Sequence, residues 1–172
     1  MVLKKLKNIQ YIFLDVDGVL TDGRVLVNEE GEQWRSFNVK DGYAIQYAIK
    51  QGIQVIVITG GRSTGILKRF SGLGVQEVYL NISDKLSLLK ELQMKYEFAY
   101  EQCLFIGDDL PDLACMRQVG VAICPADAAE EIKAISHYVS IRKGGDGIVR
   151  ETIEKVLKLQ GKWHADTLTQ SI

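Results

Sequence analysis

Tyr11-Ile12-Phe13-Leu14-Asp15-Val16-Asp17-Gly18-Val19-Leu20-Thr21-Asp22-Gly23 runs a short apolar strand into two carboxylates separated by one residue, then releases the chain through glycine. Such a pair at a strand exit suits phosphoryl transfer. Asp15 can attack phosphorus to give an aspartyl-phosphate, while Asp17 can protonate the leaving oxygen and later activate water. Two oxygen sites this close also suit Mg²⁺, which would screen their repulsion and the charge of a phosphate.

Outward from that stretch, β-rich runs at Tyr11–Leu14, Gln54–Ile58, Glu77–Leu80, Cys103–Ile106 and Val121–Cys124 alternate with segments of helical period. The helices are expected at Tyr43–Lys50, Ser63–Leu73, Lys85–Tyr96, Leu110–Val119, Ala128–Ser136 and Ile148–Gln160. This alternation predicts an α/β fold with a mostly parallel sheet and helices on both faces. One insertion interrupts the rhythm: residues 24–37, with Glu29-Glu30-Gly31 at the tip, read as a β-hairpin between the first strand and first helix. Ligands of open α/β sheets bind outside the carboxyl ends of the strands, so a hairpin leaving that rim can wall the site.

With 172 residues, of which 47% are hydrophobic, the chain is read as one domain over 1–172. Its apolar runs are too short to span a bilayer and Met1-Val2-Leu3-Lys4-Lys5 lacks a cleavable signal pattern, so a soluble cytoplasmic protein is expected. Cys103, Cys115 and Cys124 lack paired spacing and read as buried reduced thiols. A formal charge of -1 without a long basic run argues against sequence-independent nucleic-acid binding. His137 and His164 show no metal-ligand pattern; Trp34 and Trp163 are candidates for contacts between subunits.

Three further elements bear on chemistry. Thr59-Gly60-Gly61 follows the second apolar strand, where a hydroxyl and approachable N–H groups can receive phosphate oxygens, although such a turn is also common structural punctuation. Lys85 opens a helix after Ser83-Asp84 and can meet a phosphate or the nucleophile's charge; a solvated lysine is the competing reading. Gly107-Asp108-Asp109-Leu110-Pro111-Asp112 again ends a strand in carboxylates: Asp108 is the expected third anchor for Mg²⁺, with Asp109 and Asp112 outside it or capping the next helix. Arg62 and Arg69, seven residues apart on one expected helix, would present two guanidinium groups to an anionic substrate.

In order, these elements resemble the haloacid dehalogenase-like phosphohydrolases, with Asp15-Val16-Asp17-Gly18 as first motif, Thr59 as second, Lys85 as third and Gly107-Asp108-Asp109 as fourth. The resemblance implies a Rossmann-like core in which the hairpin replaces a cap domain. It implies Asp15 as nucleophile and Mg²⁺ ligand, Asp17 as acid/base and ligand through its backbone carbonyl, and Asp108 as a further ligand. Thr59, Gly60 and Lys85 would hold the phosphoryl group.

Asp22-Gly23, the hairpin, Phe37-Asn38-Val39-Lys40-Asp41-Gly42-Tyr43, Lys143 to Glu151, Gln160-Gly161-Lys162 and Gln170-Ser171-Ile172 are similar to the 3-deoxy-D-manno-octulosonate 8-phosphate (KDO 8-phosphate) phosphatases within that superfamily. That likeness implies a sugar acid phosphate substrate and a homotetramer joined through its hairpins. A neighbouring subunit would complete each site, and a C-terminal tail, 161–172, would reach an adjacent one. It also implies substrate contacts from Asn38, Val39, Lys40, Asp41, Gly42 and Arg69. Gly61, where relatives commonly place arginine, leaves the role of Arg62 open; Gln46, basic in some relatives, leaves room for a nine-carbon substrate, 2-keto-3-deoxy-nononate 9-phosphate. A phosphorylation-switched receiver also places an acidic strand exit, a threonine and a lysine around Mg²⁺. Its acceptor should follow the middle strand, however, and here that strand ends Tyr79-Leu80-Asn81.

Overall fold

Side-chain alternation along the apolar runs determines how the layers stack. The computed structural model describes residues 2–164. In chain order the elements are α1 (Val2–Leu6), β1 (Tyr11–Leu14), β2 (Leu26–Val27), β3 (Gln33–Trp34), α2 (Val39–Lys50), β4 (Gln54–Ile58), α3 (Thr64–Ser71) and β5 (Glu77–Tyr79). They continue with α4 (Lys85–Tyr96), β6 (Cys103–Ile106), α5 (Leu113–Gln118), β7 (Val121–Cys124), α6 (Glu130–Ile135), β8 (Tyr138–Val139) and α7 (Ile148–Leu159). Six strands form a parallel sheet in the order β5-β4-β1-β6-β7-β8.

Within the register, Phe13 of β1 lies between Ile56 of β4 and Phe105 of β6. Ile12, Leu14, Val55, Val57, Leu104 and Ile106 turn to one face and pack with Ala44 and Ile45 of α2 and Ile148 and Ile153 of α7. Phe13, Ile56, Ile58 and Phe105 turn to the other and meet Leu89 and Leu92 of α4 and Met116 of α5. Burial on both faces explains why these strands read as unbroken apolar runs.

Several boundaries depart from expectation, each for a local reason. Helix α2 starts before Tyr43 because the Asn38 side chain caps it, accepting from the Lys40 N–H at 2.8 Å. The helix expected at Leu110–Val119 divides into a 3₁₀ turn, Leu110–Asp112, and α5, with Pro111 in the tighter first turn. The hairpin is real but its ladder is two residues per strand, pairing Leu26 with Trp34 and Val27 with Gln33. Neither α1 nor β8 was expected; each is too short to show a period. Trp163 packs within its own chain, edge-on to Tyr47 at 5.1 Å and under the Arg150 guanidinium at 4.6 Å. Of the expected tail, residues 165–172 lie outside the described residues.

Gly147 stands at the N-cap of α7, and its lack of a side chain leaves the first-turn N–H groups without a local cap. Asp41 of α2 supplies it, its Oδ1 accepting from the Arg150 N–H at 2.6 Å. From the same turn of α2, Asn38 donates to the Gly145 carbonyl at 3.1 Å, while the Gly145 N–H donates to the Val19 carbonyl at 2.9 Å. Gly144 lies so close to the loop after β1 that a Cβ there would stand 2.0 Å from the Gly18 carbonyl oxygen. Helices α2 and α7 thus clamp the 143–147 loop onto the segment that begins with Asp15.

Burial raises the Asp41 carboxyl from 3.8 to about 6; the Arg150 N–H opposes the rise, Asp146 adds to it, and the Arg150 charge opposes it again. The native chain therefore keeps a proton that the unfolded chain has released, so this group's contribution falls as pH rises through that window. In urea melts, the stability of the native protein relative to Asp41→Asn is expected to decline as pH rises from 3.8 through about 6. A difference that stays constant over that range contradicts the assignment.

Candidate active site

From β1 the chain travels outward to β4 and β5 on one side, then returns to build β6, β7 and β8 on the other. The reversal opens a crevice at the carboxyl ends of β1 and β6. Asp15 stands there, its N–H donating to the Ile106 carbonyl at 3.1 Å, and its side chain turns inward and is buried. Lys85, first residue of α4, reaches the same point. Its Nζ donates to Asp15 Oδ1 and Asp112 Oδ1, each at 2.7 Å, and it too is buried. Asp112 Oδ2 accepts from the Asp108 N–H at 3.1 Å, which fixes the turn after β6.

One carboxylate oxygen from each of Asp15, Asp108 and Asp112 lies within 4.8 Å of the others. Burial raises Asp15 to about 7, reinforced by Asp112 and opposed by Lys85. Asp108 rises to about 8 through burial and the charges of Asp15, Asp112 and Asp109. Asp112 is raised by burial against the pull of Lys85. Burial alone would lower Lys85, but Asp15 and Asp112 outweigh it and keep the ammonium charged. Asp108 Oδ1 is buried without a hydrogen-bond partner. Gly18, at φ +92°, leaves the space in front of Asp108 clear; any Cβ there would meet Asp108 Oδ2 at 2.0 Å. An orphaned oxygen, an all-carboxylate donor set and an excess of negative charge fit a hard divalent cation such as Mg²⁺.

Asp17 is held by a residue that sequence reasoning did not single out. Arg35, directly after β3, donates from Nε to Asp17 Oδ1 at 2.6 Å and from Nη2 to Oδ2 at 2.9 Å, and this pairing keeps the guanidinium firmly protonated. Trp34 is exposed, and Arg35, next in the chain, turns its side chain to the opposite side and buries it against Asp17. Thr59, at the end of β4, is buried, and its Oγ1 accepts from the Gly61 N–H at 3.0 Å, leaving the hydroxyl proton for another acceptor. The Gly61 N–H is thereby committed inside its own turn.

Among residues expected to meet substrate, the structure draws distinctions. Asp41 is buried against α7, its Oδ1 taken by the Arg150 N–H; Asn38 spends its amide on the Gly145 carbonyl and its oxygen on the cap of α2. Val39 and Lys40 are exposed. Arg69 crosses Gly42, where a Cβ would stand 2.5 Å from its guanidinium. Arg62 does not share a helix with Arg69: it precedes α3, whose cap is Ser63, and lines an open groove of about 850 Å³ with Arg35 and Gly60. Asp109 caps the Leu110 N–H at the surface, whereas Asp112 stands within the buried cluster rather than outside it. His137 serves the sheet edge, its Nδ1 accepting from the Ala122 N–H.

The family model for haloacid dehalogenase-like hydrolases matches residues 70–151. The 3-deoxy-D-manno-octulosonate 8-phosphate phosphatase KdsC of Yersinia pestis is 39% identical over 166 residues, 96% of this chain and 89% of that protein. Its namesake from Escherichia coli (strain K12) is 38% identical over 161 residues, 94% of this chain and 86% of that one. The crystal structure of the Yersinia pestis phosphatase superposes with a TM-score of 0.91 at 40% identity, covering 94% of this chain and 87% of the other. The Moraxella catarrhalis phosphatase of the same name, solved in complex with magnesium ion, phosphate ion and a KDO molecule, gives a TM-score of 0.90 at 37% identity, covering 93% and 92%. A full-length match of this strength, on a sheet that brings Asp15, Lys85 and Asp108 to one crevice, shows that the chain belongs to the haloacid dehalogenase-like hydrolases and, among them, to the 3-deoxy-D-manno-octulosonate 8-phosphate phosphatase family.

Proposed function

We propose that this protein is a Mg²⁺-dependent phosphatase that hydrolyses KDO 8-phosphate to the free sugar acid and phosphate, in lipopolysaccharide precursor synthesis. The observation that carries the reading is the buried Asp15–Lys85 pair beside Asp108, in a chain resembling phosphatases of that name over nearly its whole length. Mg²⁺ would be held by Asp15, Asp108 and the Asp17 carbonyl, with Asp112 alongside. Bound there, it supplies charge that screens the carboxylates and polarises the phosphate.

A carboxylate oxygen of Asp15 attacks phosphorus as the phosphorus–oxygen ester bond breaks, and Asp17 gives its proton to the departing sugar oxygen. Asp17, now a carboxylate, takes a proton from water as that water attacks the aspartyl-phosphate, freeing phosphate and restoring Asp15. The Thr59 hydroxyl, the Gly60 N–H and Lys85 hold the phosphoryl oxygens, where their charge and dipoles count most in a dry site. Arg62 and Arg69 offer cations to the sugar acid, while Asn38 and Asp41 act through the loop they clamp. With Mg²⁺ present, phosphate release from KDO 8-phosphate is expected to exceed that from simple hexose phosphates by about tenfold or more in kcat/KM. The nine-carbon analogue is expected to trail the eight-carbon ester, and Asp15→Asn to lower kcat by about 10⁴-fold while retaining the native fold. Equal turnover of hexose phosphates contradicts the substrate, and near-native kcat in Asp15→Asn contradicts the mechanism.

The working form in this reading is a homotetramer whose hairpins associate, with a neighbouring subunit covering each open site. Leu26, Val27 and Trp34 support it: all three are more than half exposed on a hairpin too short to bury them within the chain. A cytoplasmic setting accords with three buried free cysteines and with the lack, among described residues, of a helix able to cross a membrane. In sedimentation, the native protein is expected to run as a tetramer and the Leu26→Glu, Trp34→Glu double variant as smaller species. A native monomer, or a double variant that still sediments as a tetramer, contradicts the assembly.

A further inference from the structure

We propose that Arg35 is the positioning residue for Asp17: carried on the hairpin, its guanidinium sets the direction of the Asp17 carboxylate and so ties the hairpin to the step in which that carboxylate takes a proton from the attacking water. The inference rests on the reading of Asp17 as acid/base. Both oxygens of Asp17 are engaged, at 2.6 and 2.9 Å, in the two-point geometry that fixes the plane of a carboxylate and not merely its location. No other side chain holds that carboxylate among the described residues.

Exposure is divided unevenly across the pair. The Arg35 side chain is 4% exposed and the Asp17 side chain 31%, so a buried cation grips a carboxylate whose outer side stays open. Burial leaves Arg35 Nη1 without an acceptor, a cost set against its two bonds to Asp17. Its Nη2 also lies 3.3 Å from where a Cβ of Gly61 would stand, which places the guanidinium between Asp17 and the turn that carries Thr59. Asp17 lies in a turn held by the Val19, Leu20 and Thr21 N–H groups, which donate to the Val16 carbonyl, so the freedom left to its carboxylate is rotation of the side chain. A base set about an ångström off its line loses roughly 10²-fold in rate, and this pair removes that freedom.

The test is a double-mutant cycle in kcat and KM with KDO 8-phosphate and Mg²⁺, using the native protein, Arg35→Gln, Asp17→Asn and both together. Arg35→Gln is expected to lower kcat by about 10- to 100-fold with KM within about threefold. Arg35→Lys, which keeps the charge but not the fork, is expected to recover part of the loss; it carries the test if Arg35→Gln does not fold. On the Asp17→Asn background, loss of Arg35 is expected to cost less than about twofold further, because the group it acts through is gone. A loss confined to KM, or equal losses on both backgrounds, overturns the inference. Native kcat in Arg35→Gln beside a crippled Asp17→Asn overturns it alone, whereas native kcat in Asp17→Asn overturns the acid/base reading beneath it.

Discussion

Two buried carboxylates, Asp15 and Asp112, share one ammonium at the carboxyl ends of β1 and β6, with the half-buried Asp108 beside them, and much of the molecule serves that imbalance. Lys85 neutralises at most one of the charges on Asp15, Asp108 and Asp112, and burial raises all three carboxyls. Removing Lys85 would leave uncompensated charge at a cost of about 3–5 kcal/mol, or force a proton onto Asp15. A cation is the remaining way to keep Asp15 ionised, and the unpartnered Asp108 Oδ1 marks where the demand is greatest.

Holding this charge in place requires a stiff surround. The loop after β1 gains it from the 143–147 loop, packed so closely that Gly144 has no space for a side chain beside Gly18 and Thr21. That loop is fastened in turn by Asn38 and Asp41 at the start of α2 and by α7 behind it. Residues far apart in the chain thereby fix the path on which Asp15 and Asp17 lie. The hairpin adds Arg35, so an insertion too small for a cap domain still reaches Asp17.

The sheet and the meeting of Asp15, Lys85 and Asp108 at its rim were legible because each carries a local signal. Apolar runs ending in Asp15, Thr59 and Asp108 announce strands whose exits share one rim, and a parallel sheet must bring those exits together. Less legible were features settled by tertiary contact. Asn38 and Asp41 look like ligand-facing polar residues, yet one caps its own helix and the other caps a helix more than a hundred residues on. Arg62 falls off the face of Arg69 because Ser63 starts the helix after it. Arg35 was hidden by the brevity of β3, two residues that give alternation almost no length in which to show. Asp112 resembled a spare cap until the 3₁₀ turn at Pro111 drew it inward to Lys85.

The charge imbalance is open to direct measurement by titrating Mg²⁺ into the metal-free protein by calorimetry, in buffers of differing ionisation heat. With Asp15 near 7 and Asp108 near 8 before metal arrives, binding at neutral pH is expected to release protons, and affinity to climb as pH rises through that window. Binding that releases no protons, with an affinity indifferent to pH between about 6 and about 9, would contradict the account.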